Sequence, residues 1–127
     1  MKRHVNKFST LILLNIILMF SAQVVASGAD VIDAEVKRGN DDSFTINVTV
    51  QHADEGWNHY ADHWLILDKN EQLIAARKLM HPHVKEQPFT RSLSYIQIPD
   101  DVTEITIRAH CSIDDYSGKN LTIKLER

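Results

Sequence analysis

The stretch F-T-I-N-V-T-V at residues 44–50 contains the most regular pattern in the sequence. Phe44, Ile46, Val48 and Val50 alternate with threonine and asparagine, so the apolar side chains fall on one face of an extended backbone. Valine, isoleucine and threonine are typical strand residues. The stretch therefore predicts a β-strand with one face in the core.

Similar short patterns recur on both sides of this strand, about every ten residues. Turn sequences separate several of them: G-N-D-D at 39–42, D-K-N-E at 68–71 and P-D-D at 99–101. Segment 31–38, with Ile32, Ala34 and Val36 inward, is expected to form a hairpin with 44–50. W-L-I-L at 64–67 is typical of a central strand. A single helical turn within residues 54–63 is the one possible exception to an all-strand pattern. Seven strands are predicted, at 31–38, 44–50, 60–67, 73–80, 89–98, 103–113 and 121–125. This spacing favours an all-β immunoglobulin- or fibronectin-like sandwich.

The first 26 residues have the pattern of a secretory signal peptide. Lys2, Arg3 and Lys7 precede an apolar run at 8–26, and Val24 and Ala26 suit a cleavage site before Ser27. A retained membrane anchor is the alternative, since the run is nearly long enough to span a bilayer. We expect residues 1–26 to be a signal peptide and residues 27–127 to be one exported domain, periplasmic or secreted and not membrane-bound after cleavage.

The expected mature domain is acidic. Loss of three basic residues leaves 11 Lys and Arg against 17 Asp and Glu, a net charge of −6 with neutral histidines. This charge argues against nucleic acid or an anionic membrane as a partner and is compatible with cations. The sequence contains one cysteine and therefore no internal disulfide. Stability must come from packing, a metal or a partner.

Histidines and tryptophans are concentrated in one part of the chain. Five of the seven histidines, and both tryptophans, fall within residues 52–83. This concentration predicts a binding site, and neutral imidazole suits copper, zinc, nickel and iron. No Ser-His-Asp spacing, nucleotide-binding loop or nucleophile elbow is present, so binding is favoured over catalysis.

His81 and His83 form the closest pair. In an extended backbone, residues two apart point to the same side, about 6.5–7 Å apart at Cα, and Pro82 stiffens the pair. A solvated surface loop is the alternative. His59 and His63 can share an ion only if the chain turns between residues 56 and 61, because on a strand they lie about 13 Å apart.

Cys111 shares its predicted strand face with Ile105, Ile107, Ala109 and Ile113, which favours a buried structural thiol over a ligand. His110 points to the opposite face. His52 falls on the apolar face of its strand and is expected at the rim of the core. The predicted metal ligands are His59, His63, His81, His83 and Cys111, for an ion of copper, zinc or iron.

Two blocks of sequence carry a resemblance to known proteins. G-W-N-H-Y-A-D-H-W at 56–64 and L-M-H-P-H-V-K-E-Q-P-F-T-R-S-L at 79–93 are similar to a group of small exported bacterial proteins whose activity is not established. That resemblance covers residues 56 to about 113.

The placement of His59 and His63 before a Trp-containing strand, with Cys111 late in the chain, also resembles superoxide reductase of the desulfoferrodoxin and neelaredoxin family. The resemblance implies an immunoglobulin-like sandwich with a mononuclear iron bound by four histidines and a cysteine. Asp114 stands where that family has a histidine. The His-Pro sequence resembles, in layout, the sandwich subunits that bind a sulfur carrier in periplasmic thiosulfate oxidation. That likeness implies a metal-free module that binds another periplasmic protein.

Overall fold

The computed structural model describes residues 28–127, which contain seven β-strands and no helix. The predicted signal peptide lies outside this range. The strands are β1 (Asp30–Arg38), β2 (Phe44–Gln51), β3 (Ala61–Leu67), β4 (Leu73–Lys78), β5 (Phe89–Ile96), β6 (Glu104–Cys111) and β7 (Leu121–Lys124). Residues 28–127 therefore contain no helix that is long and apolar enough to cross a membrane.

The strands form two antiparallel sheets. The three-stranded sheet has the order β1-β2-β5, and the four-stranded sheet has the order β4-β3-β6-β7. The expected hairpin of β1 and β2 is present, and β3 is central, between β4 and β6. The prediction of an all-β sandwich with about seven strands is confirmed. Its finer assignment as immunoglobulin- or fibronectin-like stays a prediction.

The core lies between the inward faces of the two sheets, where apolar residues alternate with outward polar ones. In β2 and β6 every second residue is buried, which is the pattern expected for strands with one covered face. The largest fully buried side chain is that of Trp64 in β3. The core residues of these three strands are Phe44, Ile46, Val48, Val50, Ala61, Trp64, Ile66, Ile105, Ile107, Ala109 and Cys111.

Two details of the predicted strand faces are wrong. The pairing of β1 with β2 shifts between Val31 and Asp33, so Ile32 is the extra residue of a β-bulge. The bulge places Val31 in the core and leaves Ile32 45% exposed, while Ala34 and Val36 pack inward as expected. Ile113 is 60% exposed because β6 ends at Cys111 and the chain turns there.

We expect Ile107→Ala to destabilise the domain by about 2–5 kcal/mol, because it removes buried methylene groups and leaves a cavity. Ile107 lies in β6 between β3 and β7 and has no exposed surface. Urea unfolding followed by tryptophan fluorescence measures the change. Ile32→Ala is the matched control and should cost less than about 1 kcal/mol. Equal losses in the two variants would contradict the assigned core.

Candidate metal centre

Three loops meet at one end of the sandwich and bring the histidines together. They connect β2 to β3, β4 to β5, and β6 to β7. The backbone N–H of His52 donates to Gln87, at 3.0 Å, which joins the first loop to the second. The backbone N–H of Tyr60 donates to the Ser112 hydroxyl, also at 3.0 Å, which joins the first loop to the third. The candidate site is therefore assembled from distant parts of the sequence.

The Asp54 carboxylate is the central acceptor of this end of the molecule. Its side chain is fully buried. Oδ1 lies 2.6 Å from Nδ1 of His52 and accepts the backbone N–H of Ala61 at 2.9 Å, while Oδ2 accepts the backbone N–H of His83 at 2.7 Å. A buried carboxylate needs such donors to offset its loss of hydration. Asp54 thereby fixes the start of β3 and the His-Pro-His loop relative to the end of β2.

His52, His59, Cys111 and Asp114 form what we call the inner group. Each offers one potential ligand atom, and these four atoms all lie within 4.8 Å of one another. The side chains of His52 and Cys111 are buried, His59 is 14% exposed and Asp114 is 30% exposed. The set comprises two imidazoles, a thiol and a carboxylate, all of which are zinc ligands in proteins.

Carboxylates orient both imidazoles of the inner group. Nδ1 of His52 lies 2.6 Å from Asp54, and Nδ1 of His59 lies 3.0 Å from Glu55. A carboxylate only accepts hydrogen bonds, so each Nδ1 donates and each neutral ring keeps its lone pair on Nε2. Both Nε2 atoms are buried and make no hydrogen bond among the described residues, although Nε2 of His59 lies 3.3 Å from a carboxylate oxygen of Asp114. Two buried basic nitrogens thus face the same small volume.

The turn after β6 brings Asp114 back to Cys111. Two backbone hydrogen bonds join Cys111 and Asp115, at 2.8 and 3.0 Å. Asp115 has a positive φ of 53°, which aspartate tolerates better than most residues. The Cys111 thiol donates to Asp114 Oδ2 at 3.6 Å, and the same oxygen lies 3.3 Å from Nε2 of His59. Burial raises the pKa of the Cys111 thiol, so the metal-free site holds a neutral thiol.

Asp62, His63 and His110 form what we call the outer group. Their potential ligand atoms also lie within 4.8 Å of one another. Oδ1 of Asp62 lies 2.8 Å from Nδ1 of His63 and 2.6 Å from Nδ1 of His110. The two imidazole rings are stacked, with centroids 4.4 Å apart. All three residues are partly exposed, so this group lies on the solvent face of the four-stranded sheet.

A β-bulge in β3 creates the outer group. Ala61 pairs with Cys111, His63 pairs with His110, and the register shifts between them, so Asp62 is the extra residue. Two residues of β3 therefore oppose the single His110, which lets both reach its ring. Because residues 110 and 111 of a strand point to opposite faces, His110 joins the outer group and Cys111 joins the inner group, as strand alternation predicted.

His81 and His83 lie side by side, with ring centroids 4.5 Å apart. His81 is exposed, whereas His83 is buried and stacked on Phe89 at 3.9 Å. Nε2 of His83 lies 2.8 Å from an Nη atom of Arg91, so it accepts a hydrogen bond from the guanidinium. Burial, and then the Arg91 charge, lower the pKa of His83. Its described contacts are those of a neutral histidine that holds the loop in place.

The five predicted ligands therefore separate. His59 and Cys111 come together in the inner group, His63 joins the outer group, and His81 and His83 belong to neither group. The chain does turn between Gly56 and His59, but His59 and His63 enter different groups. The H-P-H loop is held near this segment by Asp54, which accepts the backbone N–H of His83. No group of three histidines occurs among the described candidate sites.

Sequence reasoning gave too little weight to His52 and Asp114, the other two members of the inner group. His52 lies at the core rim as expected, but its partner is a carboxylate rather than a backbone carbonyl. The spacing of His52 and Asp54 is one usable signal, because a histidine ligand commonly has a carboxylate on its second nitrogen. The C-x-x-D spacing of Cys111 and Asp114 within a polar turn is the other.

Comparison with known proteins adds one relative. The chain is 30% identical over 98 residues to a protein of Halomicrobium mukohataei described as a "Putative lipoprotein", and the match covers 77% of this chain and 48% of that one. The chain thus spans about half the length of the curated relative it matches. No family model matches the sequence, and no solved structure matches it.

We expect Asp54→Asn to lower the free energy of unfolding by about 2–4 kcal/mol, because one oxygen that accepts buried N–H groups becomes a donor. Chemical denaturation with circular dichroism measures the loss. Asp42→Asn is the control, since its ion pair with Arg38 is exposed and should contribute less than about 1 kcal/mol. A cost for Asp54→Asn no greater than that of the control would contradict the central role of Asp54.

We expect His83 to make stability fall in mild acid. The pKa of His83 is lowered in the folded state, whereas a histidine in the unfolded chain has a pKa of about 6.5. The unfolded chain therefore binds the proton first. The stabilisation is fully present above about pH 6.5 and is lost as pH falls through the folded pKa, by at most about 1.4 kcal/mol per pH unit.

Urea denaturation between pH 7.5 and 5 measures this effect of His83. The slope of unfolding free energy against pH should be shallower in His83→Gln than in the wild type. His81→Gln, at the exposed neighbour, should change the slope less than His83→Gln, because burial and the Arg91 charge lower the pKa of His83 more than the His81 charge does. An unchanged slope in His83→Gln would show that other groups cause the acid sensitivity.

Proposed function

We propose that this chain is an exported β-sandwich protein whose inner group binds one transition-metal ion, in a binding rather than a catalytic role. The observation that carries the proposal is the pair of buried Nε2 atoms of His52 and His59. Neither atom makes a hydrogen bond within the described residues, and both lie within 4.8 Å of potential ligand atoms of Cys111 and Asp114, with Nε2 of His59 3.3 Å from an Asp114 oxygen. Buried side-chain nitrogens of Trp64, His83 and Arg108 also lack a hydrogen bond in this part of the chain, but none of these three residues belongs to a group of potential ligands. A metal ion would satisfy the two nitrogens of the inner group.

The surroundings of the inner group support metal binding over a simple packing role. Ligating histidines almost always donate their second ring N–H to a carboxylate, carbonyl or water, which fixes the ring and raises its basicity. Asp54 and Glu55 occupy those positions for His52 and His59. Asp54 is itself held by two backbone N–H groups, so the ring of His52 is oriented before any ion arrives.

The donor set favours zinc or copper. Two imidazoles, one thiolate and one carboxylate provide four ligands, which suits tetrahedral zinc, and two histidines with one cysteine are also the in-plane ligands of mononuclear copper sites. The thiolate and carboxylate together carry two negative charges, which neutralise a divalent ion. A set of four protein ligands leaves no open position of the kind that catalytic zinc sites keep. This closure supports binding rather than catalysis.

Export is supported by two independent observations. Residues 1–26 have the pattern of a signal peptide, and the Halomicrobium mukohataei relative carries a lipoprotein description. The acidic balance of the remaining chain suits a domain that meets cations rather than nucleic acid. We propose a periplasmic or secreted location.

The superoxide-reductase resemblance supplies a second proposal, a mononuclear iron redox enzyme. One observation favours it: Cys111 lies with two imidazoles, and Asp114 falls in the same group at the position where that family has a histidine. The inner group contains two histidines rather than four, so we rank this proposal below the first. The metal-free module that binds another periplasmic protein ranks third, since it gives no role to the convergence of four potential ligand atoms in the inner group.

Metal titration of the full-length chain tests the first proposal. We expect the chelator-stripped protein to bind one tight equivalent of Zn²⁺, Cu²⁺ or Co²⁺, with Co²⁺ and Cu²⁺ producing a thiolate charge-transfer band. Free metal ion at about 100 times its Kd should stabilise the folded state by about 2.7 kcal/mol, measured by thermal unfolding. Cys111→Ser should abolish the band, and His59→Ala should weaken the tight equivalent. His81→Ala, an exposed histidine outside both groups, is the matched control.

Circular dichroism of each variant separates loss of a ligand from loss of the fold. Because Cys111 is fully buried, His59→Ala provides the second variant if the serine substitution unfolds the chain. Folded protein that takes up no Zn²⁺, Cu²⁺, Co²⁺ or Fe²⁺ in this group, or a charge-transfer band that survives Cys111→Ser, would refute the proposal. Iron retained with a thiolate band, in preference to zinc and copper, would favour the enzyme proposal.

A further inference from the structure

We propose that the outer group is a second metal site, open to solvent, that takes a divalent transition-metal ion through Asp62, His63 and His110. The proposal is independent of metal binding by the inner group, since the two groups share no residue. The probe for the outer site is Cu²⁺, which binds imidazole nitrogen and carboxylate oxygen more tightly than other divalent first-row ions.

The ligand atoms already converge on one point. Nδ1 of His63 and Nδ1 of His110 lie 2.8 and 2.6 Å from the same oxygen of Asp62. In the metal-free protein, both nitrogens must carry protons to make these contacts attractive, because the carboxylate is only an acceptor. A divalent ion can take the place of the two Nδ1 hydrogens, and each ring stays neutral because its one remaining hydrogen is then on Nε2. The result is a set of two imidazoles and one carboxylate.

The far nitrogen of each imidazole also has a partner. Nε2 of His63 lies 2.6 Å from the Tyr116 hydroxyl, and Nε2 of His110 lies 3.2 Å from Asp115. When Nδ1 of each ring binds an ion, Nε2 carries the hydrogen and donates to these two oxygens. Such partners on the second nitrogen fix ring orientation at metal sites. A surface histidine pair with no ligand role has no need of this arrangement on both rings.

The outer group is accessible from solvent. Asp62, His63 and His110 are 26%, 29% and 18% exposed, and Asp62 and His63 line an open groove of about 400 Å³ together with Tyr60 and Lys78. Three protein ligands leave room for water or an exogenous ligand on the ion, unlike the four ligands of the inner group. We therefore expect weaker, exchangeable binding here.

Copper titration with electron paramagnetic resonance tests the second site. The full-length Cys111→Ser chain, which lacks the inner thiolate, should still bind one equivalent of Cu²⁺ with imidazole nitrogen couplings. His63→Ala and His110→Ala in that background should each weaken this equivalent at least about tenfold. His81→Ala is the matched control and should leave both affinity and spectrum unchanged.

Tyr116→Phe examines the positioning of His63, because it removes the hydroxyl on Nε2 and keeps the ring. We expect an affinity loss of about tenfold or more, with altered nitrogen couplings. A Cys111→Ser chain that binds no Cu²⁺, or that binds it equally well without His63 and His110, would overturn the second site. In the wild type, His63→Ala should leave the inner thiolate band intact; loss of that band would also overturn two independent sites.

Discussion

The buried Asp54 carboxylate is the interaction on which the functional end of this sandwich depends. Its two oxygens hold the ring of His52, the start of β3 and the backbone of His83. The most distant of these groups, the backbone of His83, lies 29 positions from Asp54 in the sequence. A full negative charge in this setting is stable only because every contact is a donor. The same side chain therefore orders the loops and orients His52, a member of the proposed inner metal site.

The second constraint is strand alternation, with one interruption. Regular alternation in β6 sends Cys111 into the core and His110 to the outer face. The bulge in β3 breaks the alternation at Asp62, so that Asp62 and His63 both meet His110. A bulge re-aims side chains by a local bend of the strand and a local break in the pairing. The outer group thus forms from β3 and β6, whereas the inner group combines Cys111 of β6 with three residues from the adjoining loops.

The two groups differ in their chemistry. The inner group contains a thiol and is mostly buried, which favours a retained ion shielded from solvent. The outer group contains nitrogen and oxygen donors and opens onto a groove, which favours exchange. A protein with both groups would hold one ion tightly and another loosely on opposite faces of one sheet. The relative that matches this chain is about twice the length of the matched region, so these inferences concern the sandwich domain itself.

The sequence by itself determined the class of fold and most strand positions, because alternation with a period of two is a local property. It also predicted that His110 and Cys111 face opposite ways, that β3 is central, and that histidine chemistry is concentrated after β2. It could not predict the bulges at Ile32 and Asp62, since a one-residue register shift depends on the partner strand. The β1 register shift also explains why Ile32, which was expected in the core, is exposed.

Only the tertiary structure decided which histidines meet. His52 and Cys111 are 59 positions apart, and their approach follows from pairing of β3 with β6 and packing of the two sheets. His81 and His83 had the best local spacing for a ligand pair. In the structure, however, the His83 ring accepts a hydrogen bond from Arg91 and stacks on Phe89. Local spacing controls which side chains point the same way. Long-range packing controls which of these side chains come close together. For this reason the candidate site differs from its sequence prediction more than the fold does.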